Sequence, residues 1–257
     1  MMQLKAYYNY WRNRVDAHGI HSPFVFDFYN TVIQKADDLN DRAIQRIHSK
    51  LKKDHRIISV EDFGAGSKKI KGTTRKISAI AKTSAINRKY GKLLARIIER
   101  YRLGHVVELG TSLGIGSLYL SHHNSVKKLI TIEGSVEIAK IAEQNLADFG
   151  AKNCEILVGK FEQHLEKIPD TIEKIDLVYI DGNHQYQATV DYFNFFVDHA
   201  HESSFLVFDD IYWSEGMQKA WAEICESPKI NVSMDLFRMG IVCKRPGQAK
   251  QHFVLKY

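Results

Sequence analysis

Cysteine is scarce in this chain of 257 residues: Cys154, Cys225 and Cys243 are an odd number and show no C-x-x-C spacing. That usage suggests neither a disulfide framework nor a zinc knuckle, and it leads us to expect a reduced, cytoplasmic setting. Long apolar runs are missing too. None approaches the roughly 20 residues that a membrane span needs, and the opening Met-Met-Gln-Leu-Lys-Ala-Tyr-Tyr lacks the apolar region of a signal peptide. Export and membrane insertion are therefore not expected. No internal repeat or low-complexity segment is visible. What remains is 44% apolar, enough for a substantial core in one large α/β domain carrying an N-terminal extension.

Charge is distributed unevenly. Between Lys50 and Arg102 stand 16 Lys and Arg against 4 Asp and Glu, while the whole chain carries only +6, so the remainder is net acidic. A cluster such as Lys68, Lys69, Lys71, Arg75 and Lys76 could attract phosphate, RNA or an acidic substrate. A solvated helix face explains it as well, because no aromatic-interleaved RNA motif accompanies it.

Residues 1 to about 60 are rich in aromatics and amphipathic patterns: Tyr7, Tyr8, Tyr10 and Trp11, then Phe24, Phe26, Phe28 and Tyr29, then the aliphatic Ile44, Ile47 and Leu51. They read as a helical extension over 1–83, suited to a lid or an oligomer contact, and a homodimer is a reasonable expectation. Ser22-Pro23 suits a capped helix start. His18 and His21 have no acidic or thiol partner nearby and read as capping and packing residues. The Gly64–Ser67 loop resembles a glycine cradle but is followed by a basic stretch instead of an apolar helix, so an ordinary turn is the default. Together with Ser84 and Tyr90, that loop is a candidate to line an acceptor pocket.

From Ala85 the texture alternates. Strands are expected at 105–109, 128–132, 154–158, 175–180 and 204–208, with helical segments at 87–102, 115–122, 136–149, 161–167, 186–199 and 214–226. Such alternation, with strands as apolar as Phe205-Leu-Val-Phe208, argues for a parallel sheet covered by helices on both faces. Residues 231–245 read as a closing antiparallel hairpin, and 251–257 could add one further strand.

Ligands in open parallel sheets sit beyond the carboxyl ends of the strands. Five sets of residues lie there in order. The first is Glu108-Leu-Gly-Thr-Ser-Leu-Gly-Ile-Gly-Ser117, whose glycines at 110, 114 and 116 let backbone N–H groups approach a ligand. The second is Glu133-Gly134, 25 residues beyond Glu108 and spaced to accept ribose hydroxyls. The third is Gly159-Lys160-Phe161, the fourth Asp181-Gly-Asn-His184, and the fifth Asp209-Asp210. Asp181, Asp209 and Asp210 could offer hard oxygen ligands to Mg²⁺. Alternatively, Asp181 contacts a cofactor amine and one of the pair caps a helix. His184 is placed to act as a general base, since imidazole titrates near pH ~6.5.

The first motif is not the dinucleotide G-x-G-x-x-G. It resembles that of class I S-adenosylmethionine-dependent methyltransferases, and the segments 180–186 and 207–213 resemble the cation-dependent catechol and caffeoyl-CoA type O-methyltransferases. The resemblance covers about 84–245, placing the methyltransferase domain at 84–257. It implies a Rossmann-like, mostly parallel sheet of seven strands. It also implies that Glu108, Gly110, Thr111, Ser112, Gly114 and Ser117 hold the methionine end of the cofactor, Glu133 and Gly134 the ribose, and Gly159, Lys160 and Phe161 the adenine. In that family an Asp and an Asp-Asn pair bind the metal, whereas this chain has Asp209-Asp210. His184 stands where the catechol enzymes have a lysine base. The expected activity is O-methylation of a small molecule. An RNA or protein methyltransferase using the basic 50–102 region, and a non-catalytic cofactor-binding protein, are the other readings.

Overall fold

The computed structural model describes residues 2–35, 39–60 and 73–257; the Gly64–Ser67 loop and Lys68, Lys69 and Lys71 lie outside them. The chain forms two compact units, one of Met1–Ala36 with Lys174–Tyr257 and one of Asp37–Glu173. The N-terminal extension begins with helix α1 (Met2–Asn13) and the short α2 (Pro23–Phe28). Ser22 caps α2 as its spacing from Pro23 suggested, accepting from the Val25 N–H at 3.4 Å.

The Asp37–Glu173 unit runs α3 (Arg42–Leu51), β1 (Ile57–Val60), β2 (Thr73–Lys76), α4 (Ile77–Thr83), α5 (Arg88–Tyr101), β3 (His105–Leu109), α6 (Ile115–Leu120), β4 (Lys128–Glu133), α7 (Val136–Phe149), β5 (Cys154–Val158) and α8 (Ile168–Thr171). β3 pairs parallel with β4, and β4 with β5. Val106, Val107 and Leu109 of β3 and Leu129, Ile130 and Ile132 of β4 are buried without alternation, as strands covered on both faces require. Helix α5 buries Leu93, Leu94, Ile97 and Ile98 completely, each worth about 1.5–3 kcal/mol. A Cβ on Gly91 would run into the Tyr119 ring, so glycine sets how closely α5 approaches α6.

The other unit continues with β6 (Ile175–Ile180), α9 (Tyr186–His199), β7 (Ala200–Phe208), α10 (Glu215–Glu226), β8 (Val232–Asp235), β9 (Gly240–Cys243) and β10 (Gln251–Val254). β6 and β7 are parallel, and β9 runs antiparallel to both β7 and β8. This is the expected α/β alternation closed by an antiparallel hairpin. No described helix is long and apolar enough to cross a membrane.

The structure departs from the sequence reading in four places. Among the described residues, eight strands follow Arg102 instead of seven, because Gln251–Val254 pairs parallel with β8. The extension holds that last strand: the Val15 N–H donates to the Val254 carbonyl at 2.8 Å and the Tyr10 hydroxyl to the Leu255 carbonyl at 2.6 Å. The extension is also not wholly helical, since β1 and β2 form an antiparallel ladder. Residues 161–167 are two 3₁₀ turns instead of a helix, and the strand expected from 204 starts at Ala200.

Candidate active site

In the Asp37–Glu173 unit, a turn leads from the carboxyl end of β3 into α6. It passes through left-handed backbone at Gly110 (φ 104°), Ser112 (φ 47°) and Gly114 (φ 82°), conformations that cost other L-residues about 1–2 kcal/mol. The turn is tied to β4 twice over. The N–H groups of Gly110 and Thr111 donate to the Ile132 carbonyl at 3.0 and 3.2 Å. The Thr111 and Thr131 hydroxyls lie 2.6 Å apart.

Glu108 is fully buried, and its Oε2 accepts from the Ser117 hydroxyl and, at 2.7 Å, from the Thr131 hydroxyl. It therefore braces the first turn of α6 against β4. Burial pushes its carboxyl up to about 7; the two hydroxyls oppose the shift and the Glu133 charge adds to it. Because the folded value lies above the unfolded one, the stability this proton confers is complete below about pH 4.5 and is lost as pH rises through about 7. Glu108→Gln, which cannot ionise, should then be more stable than the parent at pH 8 by about 3 kcal/mol. The gain should disappear at pH 4, which urea midpoints at the two pH values would check.

Glu133 ends β4 and closes the cradle. Its Oε2 accepts from the Ser112 N–H at 2.8 Å and its Oε1 from the Ser135 N–H at 3.0 Å. Beside it, the Gly159 N–H donates to the Glu133 carbonyl at 2.9 Å. Gly159 has φ 139°, and a Cβ there would meet the Gln163 and His164 side chains. Gln163 in turn accepts from the Lys160 N–H, setting the turn that carries Lys160 and Phe161. The residues expected after the first three strands are thus assembled along the carboxyl ends of three adjacent strands.

In the other unit, the residues after β6 and β7 form a second group. The Tyr179 hydroxyl lies 3.2 Å from Asp181 Oδ2 and 3.0 Å from Asp209 Oδ2, and His184 Nε2 lies 3.7 Å from Asp181 Oδ1. Asp209 is fully buried. Burial first, and then the Asp209 carboxylate, raise the Asp210 carboxyl above its ordinary value, against the pull of Arg238 and His184.

Sequence reasoning missed Arg238. Its Nε lies 3.2 Å from Asp209 Oδ1 and 3.4 Å from Asp210 Oδ1, and its Nη2 lies 3.5 Å from Asp209 Oδ2. Burial disfavours its charge, but Asp209 and Asp210 outweigh that and hold the guanidinium firmly protonated. The available signal was the second aspartate, an added negative charge calling for a cation. The expected Mg²⁺ ligands Asp181, Asp209 and Asp210 are accordingly engaged with protein donors. Among the described residues, no group of three or more His, Cys, Asp or Glu is arranged to hold a metal ion. The Asp16 carboxylate caps the short turn Ala17–Gly19, accepting from the His18 backbone N–H at 3.1 Å.

A third feature shows in the sequence only as the basic surplus that starts at Lys50. α3 presents Arg42, Arg46 and Lys50, and the turn after it Lys53, along an open groove of about 610 Å³ that Arg88 also lines. At its edge the buried Asp41 carboxylate takes a forked pair of 2.8 Å bonds from Arg88 and another of 2.8 Å from the Tyr119 hydroxyl, with Lys92 Nζ at 3.5 Å.

Residues 107–211 match the family model described as a methyltransferase domain; the stretch contains every residue singled out after the five strands. A relative from Acanthamoeba polyphaga mimivirus, an uncharacterized protein, is 33% identical over 124 residues, 46% of this chain. The matched part spans about half (55%) of that relative's length. An O-methyltransferase from Bacillus cereus, solved with SAH, superposes with a TM-score of 0.60 over 82% of this chain and 95% of its own, at 15% identity. The O-methyltransferase TomG from Streptomyces achromogenes, solved with SAM, gives 0.55 over 63% and 82%, at 20% identity. At such identities the shared property is the fold. Residues 107–211 thus match the model of a methyltransferase domain, and the chain shares the fold of these O-methyltransferase structures.

Proposed function

We propose that this chain is an S-adenosylmethionine-dependent methyltransferase acting on an oxygen of a small molecule. The observation that carries the reading is the cradle in which Glu133 holds the N–H of left-handed Ser112, inside the region that matches the methyltransferase domain. The donor set suits that cofactor. Gly110 and Gly114 have no side chain to obstruct a ligand's methionine end at the turn, with Thr111, Ser117 and Glu108 bracing it from behind. Glu133, with Gly134 beside it, has the chemistry to accept both ribose hydroxyls. The turn at Gly159, Lys160 and Phe161 would flank the adenine.

When bound, S-adenosylmethionine supplies an electrophilic methyl group on a sulfonium. The protein has to orient the acceptor, exclude water and take one proton. We assign the proton to His184, whose Nε2 lies close enough to Asp181 for that carboxylate to stabilise the imidazolium formed. Asp181 would alternatively meet the cofactor's amine.

Calorimetry with S-adenosylhomocysteine tests the reading: one ligand should bind per chain, and a folded chain that binds none would end it. A second reading, methylation of RNA, is favoured by the basic groove along α3. RNA affinity that falls steeply with salt, and weakens when Arg46 and Lys50 become alanine, would support it; no binding at low salt leaves the small-molecule reading.

A further inference from the structure

The acidic group after β6 and β7 lies where the resemblance places a divalent cation, and its lone pairs decide whether one fits. Asp209 Oδ1 accepts from the Asp210 N–H at 2.9 Å and from Arg238 Nε at 3.2 Å. Its Oδ2 meets the Tyr179 hydroxyl at 3.0 Å and Arg238 Nη2 at 3.5 Å. A carboxylate has about four acceptor sites; the Asp210 N–H and Arg238 occupy three, and the Tyr179 hydroxyl, whose one proton is shared with Asp181 Oδ2 at 3.2 Å, faces the fourth. A Mg²⁺ ion, which demands oxygens at about 2.1 Å in an octahedron, would have to displace the guanidinium and overcome its charge.

The guanidinium is held from behind. Arg238 sits at the tip of the β8–β9 hairpin, where its carbonyl accepts from the Ile211 N–H at 3.2 Å, one residue beyond the acidic pair. The preceding Phe237 is in left-handed backbone at φ 68° and donates its N–H to Asp235 Oδ1 at 2.7 Å. Its ring is clamped by Tyr212, stacked at 5.3 Å, and by Tyr7 and Tyr10 of α1 at 5.0 and 5.3 Å. The aromatic residues of the N-terminal helix therefore fix the turn from which Arg238 projects. A hairpin tip anchored on three aromatic rings gives the arginine a defined place, not a chance surface contact.

We infer that Arg238 is the built-in cation of the Asp209–Asp210 pair and occupies the place of a divalent metal, so that this site operates metal-free. The charges agree in sign: the permanent guanidinium lies against both carboxylates and offsets one of their two negative charges. The functional meaning rests on the methyltransferase reading, and a consequence follows for the acceptor. Without a metal to gather two oxygens, it need not be a vicinal diol, and the proton must go to a side chain of the protein.

The test is a Mn²⁺ titration of the chelator-treated full chain, followed by electron paramagnetic resonance, with parallel calorimetry of S-adenosylhomocysteine in EDTA and in Mg²⁺. The wild-type chain should show no saturable Mn²⁺ binding tighter than about 1 mM. Its S-adenosylhomocysteine affinity should be unchanged by chelator within about twofold. Arg238→Gln opens acceptor sites beside three carboxylates and should bind Mn²⁺ at least about tenfold more tightly than the wild type; Arg238→Lys, which keeps the charge, should not. One tight Mn²⁺ per wild-type chain, abolished by Asp209→Asn, would overturn the inference. So would a folded Arg238→Gln chain that binds Mn²⁺ no better than its parent. If Arg238→Gln does not fold, the wild-type titration decides alone. Failure of S-adenosylhomocysteine to bind under every condition would instead strike the methyltransferase reading.

Discussion

Glu133→Ala is expected to weaken S-adenosylhomocysteine binding by about 100-fold or more. A carboxylate that accepts two ribose hydroxyls makes two charge-assisted bonds of about 1.5–3 kcal/mol each, and every 1.4 kcal/mol is about tenfold in affinity. The same substitution removes the acceptor for the Ser112 N–H. It thereby also releases a turn that holds a serine at φ 47°, adding an ordering cost to binding. Glu133→Gln keeps an acceptor oxygen and the shape but not the charge, so it should fall between, at about tenfold. Because Glu133 is only partly buried, neither change should lower the thermal midpoint by more than a few degrees. Calorimetry with a melting curve on the same samples separates the two effects, and unchanged affinity in Glu133→Ala would remove this residue from the cofactor site.

Asp41→Ala is expected to cost about 3 kcal/mol of stability, at the lower end for a broken buried ion pair. Asp41 is 2% exposed and gathers Arg88, Lys92, Tyr119 and Gln45. Arg88 is half exposed and can turn to water, but the Lys92 side chain is only 6% exposed and would lose this carboxylate from beside its charge. For a chain of this size the loss corresponds to roughly 6–12 °C in the melting midpoint. Arg88 above all, with Tyr119 and Lys92 assisting, holds the Asp41 carboxyl far below the usual carboxylate range, outweighing its burial. The contribution is therefore fully present above about pH 4 and is lost only as pH falls toward the depressed folded value. The gap between parent and Asp41→Ala, read from urea midpoints, should be constant from pH 5 to 8 and narrow in acid.

The parts legible in the sequence were those written by local pattern. The turn after β3, the strands from His105 to Phe208 and the Ser22–Pro23 helix start each follow from a few neighbouring residues whose backbone preferences agree. What was not legible depends on partners distant along the chain. Thr73–Lys76 reads as part of a basic loop and becomes a strand because Ile57–Val60 pairs with it. Gln251–Val254 is readable as a further strand, but its place is set only when β8 and Val15 supply its hydrogen bonds. Arg238 stands 28 residues beyond Asp210, in a turn whose sequence betrays neither its aromatic clamp nor its target. Asp41 shows no motif at all, because its partners are brought to it by α5 and α6. The acidic residues after β6 and β7 were found where expected, but what neutralises them could be read only from the folded chain.

The most direct test of the account is calorimetric titration of the purified wild-type chain with S-adenosylhomocysteine. We predict one site per chain, lost in Glu133→Ala and indifferent to divalent metal. A folded chain that gives no heat with this ligand, or that binds a nicotinamide dinucleotide in its stead, would contradict it.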